Sequence, residues 1–216
     1  MISIALIGGT GTGKSTVAEY LRANYQAVWL DCDRIGHELL DTPAILAALT
    51  ARFGQNILKD GRIDRPVLGR IVFADPAALQ ALNAIVHPPI MAVLQEKQAE
   101  AEKQGSPLCV LDGALLMDVN VRQMVNQVWA ISAERETRIR RLAEGRKISR
   151  QAAERIMQNQ ISPQQYAAYA DFVLMTDEGM ESIAPEIAGR LAELRRQEKI
   201  FNFRRNEKRY DSNKKI

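Results

Sequence analysis

The 216 residues are 46% apolar and 25% charged, with a net charge of +3; that is enough apolar content to bury a sizeable core and too much for a disordered chain. Cys32 and Cys109 are the only cysteines. Each lies in its own apolar run, which excludes a disulfide framework or a zinc site and reads as two small buried thiols. No basic leader precedes the first apolar run and no apolar stretch approaches bilayer length, so a cytoplasmic protein without membrane contact is expected.

In chain order, Ile2 to Ile7 is a continuous apolar run of strand length, and the glycine-rich segment from Gly8 opens a helix whose Val17 and Leu21 face inward. Ala27 to Leu30 is a second strand. The residues from 31 to 107 are too many for one crossover helix. Within them Ile45, Leu46, Leu49 and Phe53, then Leu79, Leu82 and Ile85, keep helical spacing, divided by turn signals at Asp60-Gly61, Asp75-Pro76 and Pro88-Pro89. This insertion predicts a helical cap carrying substrate contacts. Leu108 to Leu111 and Val128 to Ile131 are further strands, and an arginine-dense excursion from Glu134 to Tyr169 predicts a lid. Phe172 to Met175 is the fifth strand. Ile183, Ile187, Leu191 and Leu194 then mark one face of a closing helix, and the polar, basic residues past Phe203 predict fraying.

Strands apolar on both faces, separated by helices, make a parallel, doubly wound five-stranded sheet, so the fold class is α/β. A single domain 1–216 is expected, with core about 1–36, 107–133 and 170–200, a helical substrate region about 37–106, a lid about 134–169 and a basic tail 201–216. From Arg195 to the end nine Lys/Arg stand against three Asp/Glu. Few aromatics interleave with them and no nucleic-acid motif is present, so no nucleic-acid partner is expected.

Gly8-Gly9-Thr10-Gly11-Thr12-Gly13-Lys14-Ser15 satisfies G-x-x-x-x-G-K-[ST] between a strand and a helix, the context that the P-loop mechanism requires. Backbone N–H groups from Gly9 to Thr16 would wrap phosphates, Lys14 would reach the β and γ oxygens, and the Ser15 hydroxyl would ligate Mg²⁺. The expected ligands are therefore ATP and Mg²⁺. The guanine-specific N-K-x-D sequence is absent, which speaks against a GTPase. Asp31 and Asp33 close the second strand on the rim where the loop lies. One can accept the proton of an attacking hydroxyl while the other helps hold Mg²⁺, or one caps the following helix. Asp112 ends the third strand, placed as a Walker B acid or as a turn cap with Gly113.

In order along the chain, Gly8 to Thr16, Leu30-Asp31-Cys32-Asp33 with Ile35, Phe53-Gly54, Gly61-Arg62-Ile63-Asp64-Arg65 with Leu68-Gly69, Val72-Phe73, Leu82-Asn83, His87-Pro88, Asp112 with Leu115-Leu116, Arg141, Gln160 and Ala170-Asp171 together resemble the dephospho-CoA kinase family. The resemblance covers most of the chain. It implies ATP-dependent phosphorylation of the ribose 3′-hydroxyl of dephospho-CoA, with a P-loop core, a helical CoA-binding region and an arginine-bearing lid. It further implies Asp33 as base, Lys14 and Arg141 as catalytic partners, and Arg65, Asn83, His87 and Asp112 beside the acceptor or phosphates. Phe53, Leu68 and Phe73 are assigned to packing.

The sequence also departs from the family pattern. Ala114 stands for proline and Asp118 for glutamate; Gly145 stands where a second lid arginine is expected, leaving Arg146 or Arg140 to substitute; and Thr176 stands for an asparagine near the adenine pocket. The run Arg135 to Arg150 also reads as a solvated helix face partnered by Glu134, Glu136 and Glu144. Two other functions fit the same core, a P-loop kinase of a nucleoside, nucleotide or other small hydroxyl compound, and a nucleotide-binding regulator with weak transfer. The sequence does not give an oligomeric state.

Overall fold

The computed structural model describes residues 1–213; nothing is described of residues 214–216, nor of the side chains of residue 114 and of 199–213. The side chain of Ala114 and all side chains of the basic tail therefore lie outside the described residues.

β1 (Ile2–Ile7) is buried along its whole length. Its side chains alternate between two cores, Ile2, Ile4 and Leu6 into one and Ala5 and Ile7 into the other, as the two-residue period of a strand demands. α1 (Lys14–Tyr25) starts at Gly13, whose φ of 87 is left-handed, a conformation that glycine adopts without a Cβ clash. β2 (Ala27–Asp31) leads into α2 (Cys32–Leu40), capped by the Asp31 carboxylate accepting from Arg34 N at 2.9 Å. α3 (Pro43–Phe53) follows, then β3 (Leu58–Lys59) and β4 (Arg62–Ile63). Asp64 caps α4 (Arg65–Ala74) and Asp75 caps α5 (Pro76–Lys103). β5 (Leu108–Asp112) and β6 (Gln127–Ser132) return to the sheet. α6 (Arg135–Arg146), α7 (Arg150–Gln158) and α8 (Pro163–Tyr169) precede β7 (Phe172–Met175) and α9 (Met180–Asn213).

Among the described residues the main sheet has five strands in the order β2-β5-β1-β6-β7, and every pairing is parallel. α1 and α9 cover one face, where Val17, Leu21, Ile183, Ile187, Leu191 and Leu194 are buried as their spacing predicts. α2, α5 and α8 cover the other through Ile35, Ile90, Leu94 and Tyr166. Both cysteines are buried, and burial pushes the Cys109 thiol up to about 12 and raises the Cys32 thiol as well, so both stay protonated.

The insertion has its own core of Ile45, Leu49, Ile57, Ile63, Leu68, Val72 and Ala78. Three expectations change here. The cap is not purely helical: Asp60 (φ 53) and Gly61 (φ 76) turn a short β3–β4 hairpin, since Asp-Gly suits the two left-handed positions of a type I′ turn. Pro88-Pro89 does not end a helix: α5 runs through both prolines, because its two halves are packed into different cores, Ala78 in the cap and Ile90 and Leu94 against the sheet. By length and composition α5 would also suffice to cross a membrane, against the expectation of no such stretch; in this fold Ala78, Ile90 and Leu94 pack it against the cap and sheet cores. At the other end, α9 continues to Asn213 where fraying is expected; its Arg, Lys and Glu are good helix formers even where nothing apolar recurs.

Candidate active site

The carboxyl ends of β1, β2 and β5 meet on one rim, where Leu6 and Asp31 are both register partners of Asp112. A cavity of about 770 Å³ opens there between the phosphate loop, the cap and the lid. Gly9, Thr10, Gly11, Gly13, Lys14, Ser15 and Thr16 line it, together with Asp33, Asn83, His87 and Arg146. Thr12 is buried beneath the loop, its hydroxyl donating to Gly9 O at 2.9 Å.

Four successive carbonyls of the loop are tied off, three of them from outside it. Gly9 O accepts from Thr12, Thr10 O from Arg138 Nε at 3.1 Å, Gly11 O from Arg141 Nη1 at 3.5 Å, and Thr12 O from the Thr176 hydroxyl at 2.7 Å. With its carbonyls held outward, the loop can offer amide N–H groups to an anion, and the first turn of α1 adds positive potential. The donor set fits a polyphosphate.

Lys14 Nζ lies 2.8 Å from Asp112 Oδ1, a contact made by charge and distance rather than by hydrogen-bond direction. Asp112 is 5% exposed. Burial raises its pKa, Lys14 offsets part of that shift, and Asp31 and Asp33 push it up further. Asp112 thus sits below the cavity as Lys14's partner, and no cavity wall described here includes it.

The pair Asp31 and Asp33 resolves into two roles: Asp31 is the helix cap, and Asp33 lines the cavity. Asp33 also lines a second, largely apolar groove of about 400 Å³ between α2, α4 and α5, with Arg65, Gly69, Phe73 and His87. His87 faces both spaces. Burial lowers its pKa against the opposing pull of Asp118, so its ring stays neutral at neutral pH. Phe73, assigned to packing from its spacing, is instead 82% exposed and borders both cavities, since it is turned about 100° round α4 from buried Val72 and so off the buried face. Phe53 and Leu68 do pack in the cap core.

The lid differs from its solvated-face reading on one side only. Arg135 and Arg150 pair with Glu136 and Glu154 at the surface, whereas Arg138 is 5% exposed against the loop. Arg141, expected to reach phosphates, donates to the Thr176 hydroxyl and carbonyl at 2.8 and 2.6 Å. Arg146 lines the cavity, while Arg140 is exposed, so of the two candidates to replace the arginine expected at Gly145, Arg146 is the one at the site. Sequence reasoning missed Arg138. Its signal was its position three residues before Arg141, on the same helical face.

No group of three or more His, Cys, Asp or Glu gathers to hold a metal among the described residues. The available donors are oxygens, the Ser15 hydroxyl and the Asp33 carboxylate beside the phosphate loop, a set suited to Mg²⁺ that takes its other ligands from phosphate and water.

A family model described as dephospho-CoA kinase matches residues 2–182. The chain is 39% identical over 177 residues to the dephospho-CoA kinase of Geobacter metallireducens, covering 81% of this chain and 87% of that one. It is 40% identical over 199 residues to that of Leifsonia xyli subsp. xyli, covering 89% and 98%. Among solved structures it is similar to a Thermus thermophilus protein, at 30% identity and a TM-score of 0.76 over 89% of this chain and 97% of that one. A dephospho-CoA kinase from Campylobacter jejuni shares the fold at 24% identity and a TM-score of 0.63, covering 89% and 96%.

Proposed function

The chain belongs to the dephospho-CoA kinase family, and from that premise we propose that it transfers the γ-phosphoryl of ATP to the ribose 3′-hydroxyl of dephospho-CoA on the rim around Asp33. The reaction yields CoA and ADP and is a step of CoA biosynthesis, for which a cytoplasmic setting is the natural one. The observation that carries the site assignment is that Asp33 borders both cavities at once. One side of it offers a phosphate loop, the other a groove with an exposed aromatic ring and the Arg65 guanidinium, chemistry suited to a nucleoside diphosphate moiety.

In this reading the loop amides, Lys14 and Arg146 hold the nucleotide's phosphates, and Ser15 with Asp33 is positioned for Mg²⁺ or its waters. Bound Mg²⁺ would supply positive charge to neutralise the phosphates. Arg65, Asn83 and His87 orient the acceptor, and the Asp33 carboxylate accepts the hydroxyl proton as the nucleophile attacks. Lys14 leaves Asp112 for the phosphates as the nucleotide enters, and the region of α6 and α7 acts as the lid that excludes water. Arg141 supports the loop's outer side in the state described.

ADP release with Mg²⁺ATP, with and without dephospho-CoA, tests this. Acceptor-dependent ADP and a product heavier by one phosphate at the 3′ position are expected; nucleotide binding with no turnover of dephospho-CoA would refute the acceptor assignment.

A further inference from the structure

Arg138 has an environment that fold stability alone does not account for. Its side chain is 5% exposed, and among the described residues no carboxylate pairs with it. Its Nε donates to Thr10 O at 3.1 Å and its Nη2 to Gln160 Oε1 at 2.9 Å. Gln160 Oε1 also accepts from Thr10 N at 3.0 Å, and Gln160 Nε2 donates to the Thr10 hydroxyl. Every polar group of Thr10 is thereby gripped by two side chains from the lid region. The guanidinium is so close to the loop that a Cβ at Gly9 would lie 2.4 Å from Nη2.

A buried guanidinium that only neutral oxygens satisfy keeps a full uncompensated charge in a poorly solvating place. Burial accordingly lowers its pKa, with Tyr166 opposing. Such a charge is repaid when an anion arrives nearby, and the loop it backs is the one built for phosphates.

We propose that Arg138 is a positioning residue for the nucleotide: with Gln160 it fixes Thr10 so that the loop's carbonyls stay turned away from the cavity, and it places a buried positive charge behind the phosphate site. The proposal rests on the nucleotide-binding reading of the loop and not on the identity of the acceptor. It gives this chain a second cation on the face of α6 that carries Arg141, seven residues before Gly145, where an arginine is expected and absent.

The test is ADP binding without acceptor, by titration calorimetry, joined to steady-state kinetics. Arg138→Met is expected to raise the Kd for ADP and the KM for ATP by about tenfold, with kcat at saturating substrates within about threefold of wild type. Arg138→Lys should recover part of the affinity, because it restores charge without the fork. The melting temperature of the nucleotide-free Arg138→Met protein should hold or rise, while the increment added by ADP shrinks; a purely structural arginine would do the reverse. A wild-type Kd for ADP in folded Arg138→Met, or an unchanged ADP increment, overturns the proposal. Should Arg138→Met fail to fold, Gln160→Met decides it: weaker ADP binding supports the clasp and unchanged binding refutes it. A protein that bound ADP but left dephospho-CoA untouched would still decide the role of Arg138.

Discussion

Thr176 holds Arg141 by two atoms, its hydroxyl at 2.8 Å and its carbonyl at 2.6 Å, and the same hydroxyl donates to Thr12 O at 2.7 Å. The end of β7 is thus wired to both the lid and the phosphate loop through one buried side chain. Thr176→Val keeps the shape and deletes the hydroxyl, leaving Thr12 O and Arg141 short of partners. A stability loss of about 1–3 kcal/mol is expected, with a several-fold rise in KM for ATP. Chemical denaturation and nucleotide-dependent kinetics would reveal it, and wild-type values in both would mean that the link is idle.

Asp33 and Lys14 separate chemistry from binding. Asp33→Asn should lower kcat by about 10²–10⁴ with ADP affinity largely kept, as expected for loss of a base. Lys14→Ala should damage affinity and turnover together. Wild-type turnover by Asp33→Asn would remove it from the mechanism.

Phe73 offers the opposite pattern. Because its ring is 82% exposed, Phe73→Ala should leave the melting temperature unchanged. If the ring contacts the acceptor, KM for dephospho-CoA should rise by about five- to twentyfold while KM for ATP does not move. Equal changes in both KM values would point to a general opening of the cap instead.

At the opposite rim Asp171 accepts from Val128 N at 2.8 Å and from Arg122 at 2.9 and 3.1 Å. Burial alone would raise its pKa, but the Val128 N–H and the Arg122 guanidinium outweigh burial and hold it below the ordinary value of 3.8. Its folded pKa is therefore below its unfolded one, so its contribution is complete above about 3.8 and is lost as pH falls through the folded value. Asp171→Asn should cost about 0.5–1 kcal/mol at neutral pH, since solvent screens this exposed pair, and the gap from wild type should narrow on acidification below that range. A gap that stays constant with pH would show that the charge contributes nothing.

The sheet and its strand boundaries were readable because continuous apolar runs at parallel-strand length admit few alternatives, and the phosphate loop because its motif stood between a strand and a helix. Residues joined only by the fold were harder. Asp31 and Asp33 look alike in sequence, and only the direction of α2 makes one a cap and the other a cavity wall. Arg138 was lost among other arginines because burial is decided by which side of α6 meets the loop. Pro88-Pro89 misled because a local breaker signal yields when both flanking halves are held by packing, and the β3–β4 hairpin was missed because strands of two residues show no alternation.

The proline pair has a mechanical consequence. Lacking N–H groups, Pro88 and Pro89 cannot serve the carbonyls of Ala84 and Ile85, so the long helix is weakest where it passes from the cap core to the sheet core. Bending there strains two fewer backbone bonds than bending elsewhere along the helix. A cap that swung as a unit would pivot at residues 84–89, so that His87 at the joint would travel least as the groove widened and Phe73, out on the far arm, most.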